Sequence, residues 1–432
     1  MRSGYLGRNM ADDFDIIIIG AGIAGTACAL RCARAGLSVL LLERGEFPGS
    51  KNISGGRLYC HALGELLPHF PQSAPLERRI TQESLALLTN DGATTYSSLQ
   101  PNGDSWSLLR ARFDPWFVNQ AEAEGVQCIT SATVEALHRE NGRVRGVICD
   151  NEILRARYVV LAEGANSELA ERHALVSSPA PSSMALGIKA VLALEKKTLE
   201  ERFRLEANEG AAMLFTGGIC GDLPGGAFLY TNQDTLSFGI VCPLSSLGKN
   251  SVPAAELLNH LQSHPALRPL LRGSELLEYG AHLVPEGGLH SMPVQYGGDG
   301  WLLVGDALRT CINTGFTVRG MDMALIGAQA AAQTLIRACK QSTPQNLYPQ
   351  YHQDIERSVL WEALQRYQHV PELLQRPGWY RQWPALMDAI SRELWLQGER
   401  PVPPLRQIVW RQLRRHGLRN LAGDLIRSIR CL

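Results

Sequence analysis

The segment "DIIIIGAGIAGTACALRCARAGLSVLLLERG" constrains this chain more than any other. Ile16 to Ile19 form a continuous apolar run, the pattern of a strand buried on both faces. Gly20, Gly22 and Gly25 follow in the spacing G-x-G-x-x-G, with Ala24 inside the loop. The first glycine makes a tight turn, the second lets backbone approach a pyrophosphate, and the third lets helix and strand pack closely. The spacing predicts a helix to about Ala35, ended by Gly36, and a second parallel strand over Ser38 to Leu42. Glu43 closes that strand, where a carboxylate accepts hydrogen bonds from a ribose diol. Strand, loop, helix, strand and acid in this order predict a dinucleotide site rather than a structural glycine turn.

The acid does not separate NAD from FAD. A nicotinamide domain continues with alternating helices and strands. This chain runs instead into "RGEFPGSKNISGGRLY", an extended basic and glycine-rich segment suited to a second, larger ring system. Lys51 and Arg57 are the side chains there that would face it, unless the segment is a solvated loop. A second strand-turn-helix signal comes late, in "DGWLLVGDALRTCINTGFTVRGMDMAL". Trp301 to Val304 read as a buried strand ending in Gly305 and Asp306. FAD is long, and its flavin end needs contacts of its own. Asp306 would accept hydrogen bonds from ribityl hydroxyls. Gly315 and the turn around Gly320 would present N–H groups and a helix N-terminus to the N1–C2=O edge, where charge collects on reduction. The pairing of the two loops therefore predicts FAD.

Between these signals, Ser107 to Ile129 read as a helix ended by Gly125 and a short strand, with Arg110 at the helix start, placed to meet a phosphate or adenine. A hairpin turns at Asp150 and Asn151 into a buried strand, Tyr158 to Ala162, ending in Glu163 and Gly164. The texture then changes to strands and polar turns. We expect an α/β protein: a Rossmann-type FAD domain over 12–80, 106–171 and 293–345. An antiparallel-sheet domain would occupy 81–105 and 172–292, and a helical region 346–432.

The chain has 432 residues, with Lys+Arg and Asp+Glu both totalling 42. This balance gives no global basic field, and no nucleic-acid motif appears. Ten cysteines contain no C-x-x-C pair, so neither a zinc ribbon nor a ferredoxin-type cluster is expected. They read as reduced thiols in the cytoplasm. The apolar run Ile16 to Ala33 is no signal-peptide core, since glycines interrupt it and Asp12, Asp13 and Asp15 precede it. Residues 1–11 read as an unstructured lead-in, with Met10 a candidate start. No side chain stands out as a general acid or base, which suits electron or hydride transfer by a cofactor. Cys311 reads as a buried inert thiol, Cys28 and Cys32 as packing residues, and His282 as structural.

In the order of G-A-G-I-A-G, E-R-G, "PGSKNISGGRLY", "LLRARFD", "LAEGANS", "GAFLYTN", "VPEGG" and "GDALRTCINTGFTVRGMDMA", the chain resembles the FixC family. These flavoproteins are related to electron-transfer flavoprotein–quinone oxidoreductase, and the resemblance, which runs from Asp15 to the C-terminus, implies a glutathione-reductase-like FAD domain. It implies a FAD protein that takes electrons from an electron-transfer flavoprotein and passes them toward quinone. By matching position it implies FAD contacts from Gly20, Gly22, Gly25, Glu43, Arg44, Arg110, Gly164, Gly305 and Asp306. Ala24, Lys51, Gly56, Arg57, Gly315 and Phe316 complete the expected set. The family turn is Asp-Gly where this chain has Glu163-Gly164, so Glu163 is not carried over. The larger quinone oxidoreductases carry a cysteine-ligated iron–sulfur domain that this chain lacks, which implies a separate ferredoxin-like iron–sulfur protein as partner.

The stretch from Leu405 to Leu432 holds seven arginines and one acid, interleaved with apolar residues. It suits an acidic redox partner, or an anionic membrane at whose inner face the protein would sit peripherally, as well as a solvated helix packed on the body. Two other readings use the same signals. One is a NAD(P)H-dependent flavin monooxygenase or prenyl-chain double-bond reductase. The other is a non-catalytic assembly subunit.

Overall fold

The computed structural model describes residues 13–52, 55–219, 224–248, 252–342, 345–396, 398 and 401–431. The lead-in over 1–11 with Met10 lies outside them, as do Asp12, and Ile53 and Ser54 of the glycine-rich segment. β1 (Phe14–Ile19), α1 (Ile23–Arg34) and β2 (Val39–Leu42) form the expected unit, with Ile16 opposite Val39 in parallel register. Ile16, Ile17 and Ile18 are fully buried, each contributing roughly 1.5–3 kcal/mol of transfer free energy.

The chain then leaves this sheet through β3 (Gly56–Tyr59), β4 (Leu76–Leu88), β5 (Ala93–Leu99) and β6 (Ser105–Leu108). After the helix Arg110–Glu122, β7 (Gln127–Ile129) returns beside β2. β8 (Val134–Glu140) and β9 (Arg143–Cys149) make an antiparallel arm. The arm turns at Asp150 and Asn151, both with positive φ, into β10 (Glu152–Leu161). β10 lies parallel to β1 on the side opposite β2, so the glycine loop emerges where the strand order reverses. That switch point is where open α/β sheets bind ligands.

β11 (Met184–Ala193), β12 (Glu209–Thr216), β13 (Gly226–Thr231), β14 (Thr235–Pro243) and β15 (Glu275–Pro285) build the second sheet. Its order is β15-β11-β14-β13-β12-β4-β6-β3, with β5 on β4, and all its pairs are antiparallel except β12 with β4. The sheet therefore extends beyond 81–105 and 172–292, because β3, β6 and the first residues of β4 join it. Arg78 of β4 is fully buried. Its guanidinium donates to the carbonyl oxygens of Asn232, Glu209 and Gln233 and pairs with Glu200, all in the second sheet's segment.

Side chains alternate across this sheet. Ala86, Leu88, Ile188, Ala190 and Leu229 enter an apolar core with Leu199, Phe203, Leu257 and Leu261 from helices on that face. Their neighbours Leu85, Leu87, Lys189, Phe228 and Tyr230 line a cavity on the other face.

β16 (Gly297–Gly298) and β17 (Trp301–Leu303) restore the first sheet, with β17 parallel to β10. A short ribbon of β18 (Ile312–Asn313) and β19 (Val318–Arg319) leads into the helix Met321–Cys339, which packs on α1. The rest is helical. Tyr351, fully buried, donates its hydroxyl to the Leu303 carbonyl oxygen at 2.8 Å and ties this region to β17. No helix among the described residues is long and apolar enough to cross a membrane. Among the described residues, Cys242 departs from the reading of reduced thiols, being disulfide-bonded.

Candidate cofactor and redox site

At the first loop Gly20 and Gly25 are required sterically. Gly20 has φ +105°, and a Cβ there would lie 2.4 Å from the Ala162 carbonyl oxygen of β10's end. A Cβ on Gly25 would lie 2.0 Å from the Gly20 carbonyl oxygen. Gly22 caps α1 at its N-terminus, with only the Arg110 Nη2 near its face, at 3.8 Å. Glu43 is oriented by two backbone donors, Ala21 N–H at 3.0 Å and Gly45 N–H at 2.7 Å. Arg110 opens its helix against the helix dipole. It is held there by both oxygens of buried Asp114, at 2.7 Å each.

The second loop repeats the pattern. Gly305 has φ +65°, and a Cβ there would meet the Ala24 Cβ at 2.7 Å, so the two glycine turns touch. Arg309 fixes the turn by donating to the carbonyl oxygens of Ser291 and Ser177 at 3.2 and 2.6 Å. Burial pushes the Asp306 carboxyl above its ordinary value, while Arg110 and Lys189 pull it down. Asn313 Oδ1 accepts from Gly315 N–H at 2.9 Å and shapes the β18–β19 turn. Phe316 projects from that turn, 59% exposed.

One cavity of about 1020 Å³ joins these parts. Gly20, Gly22, Ala24, Glu43, Arg44 and Arg110 line it, as do Lys51, Gly56 and Arg57, and Gly164, Gly305, Asp306, Gly315 and Phe316. Of the expected set only Gly25 is not at the wall. A Cβ there would meet the Gly20 carbonyl oxygen, so its smallness lets α1 pack closely. Arg57 is at the wall but engaged, paired with Glu83, bonded to Ser105 Oγ at 3.0 Å and stacked over Tyr59. Glu163 accepts from Leu169 and Ala170 N–H at 2.7 and 3.1 Å, capping the following helix.

The structure adds residues that the sequence reading missed or placed elsewhere. Lys189 reaches the cavity from β11, and burial, then Arg110, lower its pKa. His282, expected to be structural, also lines it. Burial pushes His282 down to about 4, helped by Lys189, Arg110 and Arg44. Glu286 follows directly after that strand, and Trp379 and Tyr380 close the cavity from the C-terminal helices. Strand alternation marks Lys189 and His282 as facing opposite to the core, the one sequence signal that pointed to them. Burial holds Cys311 as a thiol, well above its ordinary range.

The chemistry fits FAD. Two glycine turns, with no room for a Cβ at Gly20, Gly25 and Gly305, meet at the switch point, an oriented acid stands at the end of β2, and a half-buried acid, Asp306, stands at the second turn. A family model described as FAD dependent oxidoreductase matches residues 15–165, and a second of the same description matches 102–334. The chain is 75% identical to the probable electron transfer flavoprotein-quinone oxidoreductase YgcN of Escherichia coli K12, covering 98% of this chain and 100% of that protein. It is 41% identical to Protein FixC of the same organism, over 98% of this chain and 99% of that one. It belongs to the FixC family of FAD-dependent oxidoreductases.

Among solved structures, a geranylgeranyl bacteriochlorophyll reductase-like protein of Thermoplasma acidophilum superposes with a TM-score of 0.70 at 19% identity, covering 95% of this chain and 99% of that one. That likeness is one of fold. FAD supplies two-electron redox chemistry when bound. The residues named above would hold it: Glu43 the ribose, Gly20 and Gly22 with the α1 N-terminus the pyrophosphate, and Asp306 the ribityl chain.

Proposed function

We propose that this chain receives electrons from an electron-transfer flavoprotein and delivers them toward quinone, with a separate ferredoxin-like iron–sulfur protein as a further carrier. The observation that carries this reading is the near-complete alignment with a relative of that name, at 75% identity. The cavity supports it. Part of its wall is apolar, with Leu85, Leu87, Leu214, Phe215 and Phe228 from the second sheet. A flat, apolar acceptor ring suits that part better than a charged substrate does.

The test is an anaerobic spectrum of the purified flavoprotein. Reduced electron-transfer flavoprotein is expected to bleach the flavin band within seconds, while NADPH in a parallel cuvette leaves it unchanged. Bleaching by NADPH alone would move the protein to the monooxygenase or double-bond reductase reading.

We place the protein in the cytoplasm, peripherally at the inner face of the membrane. Trp410, Ile426 and Ile429 are 48%, 53% and 74% exposed. Arg406, Arg415, Arg419, Arg427 and Arg430 are exposed around them. Asp424, the one acid of the stretch, is turned inward and paired with Arg376. Basic side chains mixed with exposed apolar ones suit an anionic lipid surface. Sedimentation with vesicles checks this. Binding is expected to phosphatidylglycerol-containing vesicles, to fall steeply with salt, and to be lost on neutral ones. Binding to neither, with capture by an acidic ferredoxin, would make the surface a protein interface.

A further inference from the structure

Glu286 directly follows β15, which ends at Pro285, and continues the alternation of His282 and Val284; all three line the cavity. The Glu286 backbone is anchored, because its N–H donates to the Ser183 carbonyl oxygen at 3.0 Å. Its Oε1 is buried and has no hydrogen-bond partner among the described residues. Three side chains interact with the carboxyl from two parts of the chain. Asn313 of β18 hydrogen-bonds to it, Cys311 precedes that strand, and Tyr380 comes from the C-terminal helices. None of them is cationic. Lys189, Arg110 and Arg44 act on His282 but are not among the groups that perturb Glu286.

A buried carboxylate without a counter-ion is costly, and protonation relieves the cost. Burial pushes Glu286 up to about 7, against the hydrogen bond from Asn313. As a neutral acid the group changes character and becomes a donor. A buried donor left unmatched is costly too, so this atom is poised for a ligand. The wall it shares carries apolar and aromatic side chains, Val284, Phe316, Trp379 and Tyr380, beside the polar Ser183 and Asn313.

We propose that Glu286 is a ligand-binding residue of the cavity, donating a hydrogen bond as a neutral acid to a carbonyl oxygen of the acceptor bound there. For the quinone reading above, on which this assignment rests, that oxygen is a ring carbonyl. A dione gains a donor at this position. A carboxylate-bearing competitor meets no cation beside Glu286 and is repelled once the acid ionises.

The experiment is a binding titration of a decyl-substituted benzoquinone into the FAD-loaded protein, followed by tryptophan fluorescence from below to above pH 7. Wild-type affinity is expected to fall about tenfold as pH rises through 7, the loss of one hydrogen bond. Glu286→Gln keeps a donor and the shape, so its affinity is expected to be flat with pH. Glu286→Leu is expected to bind weakly throughout. The flavin band and melting temperature of each variant control for folding. His282 titrates near 4 and leaves this window clear. Saturable binding with a flat wild-type profile, or the same fall in Glu286→Gln, overturns the role of Glu286 and leaves the acceptor reading standing. No saturable binding of the quinone at any pH overturns the acceptor reading and the assignment together.

Discussion

Gly20→Ala is expected to emerge from gel filtration without flavin and to unfold at clearly lower urea than the wild type, with a loss of roughly 3 kcal/mol. Two costs coincide at this position. The backbone has φ +105°, where an L side chain is strained, and the new Cβ falls 2.4 Å from the Ala162 carbonyl oxygen. That carbonyl cannot retreat cheaply. Ala162 N–H is bonded to Ile19 O at 2.8 Å, and Val304 N–H to Leu161 O at 3.1 Å, so β10 is pinned between β1 and β17. The strain and the clash can be separated. Gly36 also has positive φ, +81°, but nothing lies within 4 Å of its Cβ position. Gly36→Ala is therefore expected to lose about 1 kcal/mol from strain alone and to keep its flavin. Equal losses in the two variants would refute the steric account of the first loop.

The first loop is legible because its chemistry is local. Five steps of sequence, from the Ile16 run to Glu43, each have one physical reading, and they agree. The turn at Asp150 and Asn151 is legible for the same reason, since both residues tolerate the positive φ they adopt. Gly305 and Asp306 repeat a strand-turn-helix pattern that only makes sense beside the first. The remaining wall of the site is of another kind. Lys189, His282 and Glu286 face the cavity because β11 pairs with both β14 and β15, and those pairings join residues far apart in the chain. Nothing local tells a lysine in "LGIKAVLAL" that it faces a ligand and not solvent. The second sheet's reach to β3 and β6 is hidden likewise. It depends on the parallel pairing of β4 with β12 and on the buried Arg78 that bonds across to Asn232 and Glu209. Trp379 and Tyr380 enter the cavity only because the C-terminal helices fold back over it.

The second large effect is expected at Asp306. The turn that carries it is held by Arg309 and by Thr310 Oγ1 bonded to the Gly305 carbonyl oxygen at 3.3 Å. The carboxylate itself has no hydrogen bond among the described residues, and it is influenced only at a distance by Arg110 and Lys189. Two ribityl hydroxyls donating to this charged acceptor would each contribute about 1.5 kcal/mol, so Asp306→Ala is expected to weaken FAD binding about 100-fold. The apoprotein should respond in the opposite sense. Burial raises the folded pKa above the ordinary 3.8, so above that pH the folded state holds a proton the unfolded chain has lost. Stability contributed by the protonated form then falls as pH rises through that window, until the folded state ionises too. Removing the carboxyl flattens this slope, and apo Asp306→Ala should be at least as stable as apo wild type near neutral pH. Flavin titration and urea unfolding of the two apoproteins at acid and neutral pH read both effects. A flattened slope with unchanged flavin affinity would mean that the buried acid serves the protein's own electrostatics, with the ribityl chain held elsewhere in the cavity. A weakened flavin with a flattened slope would mean that the free energy lost in burying Asp306 is recovered only when the cofactor is bound.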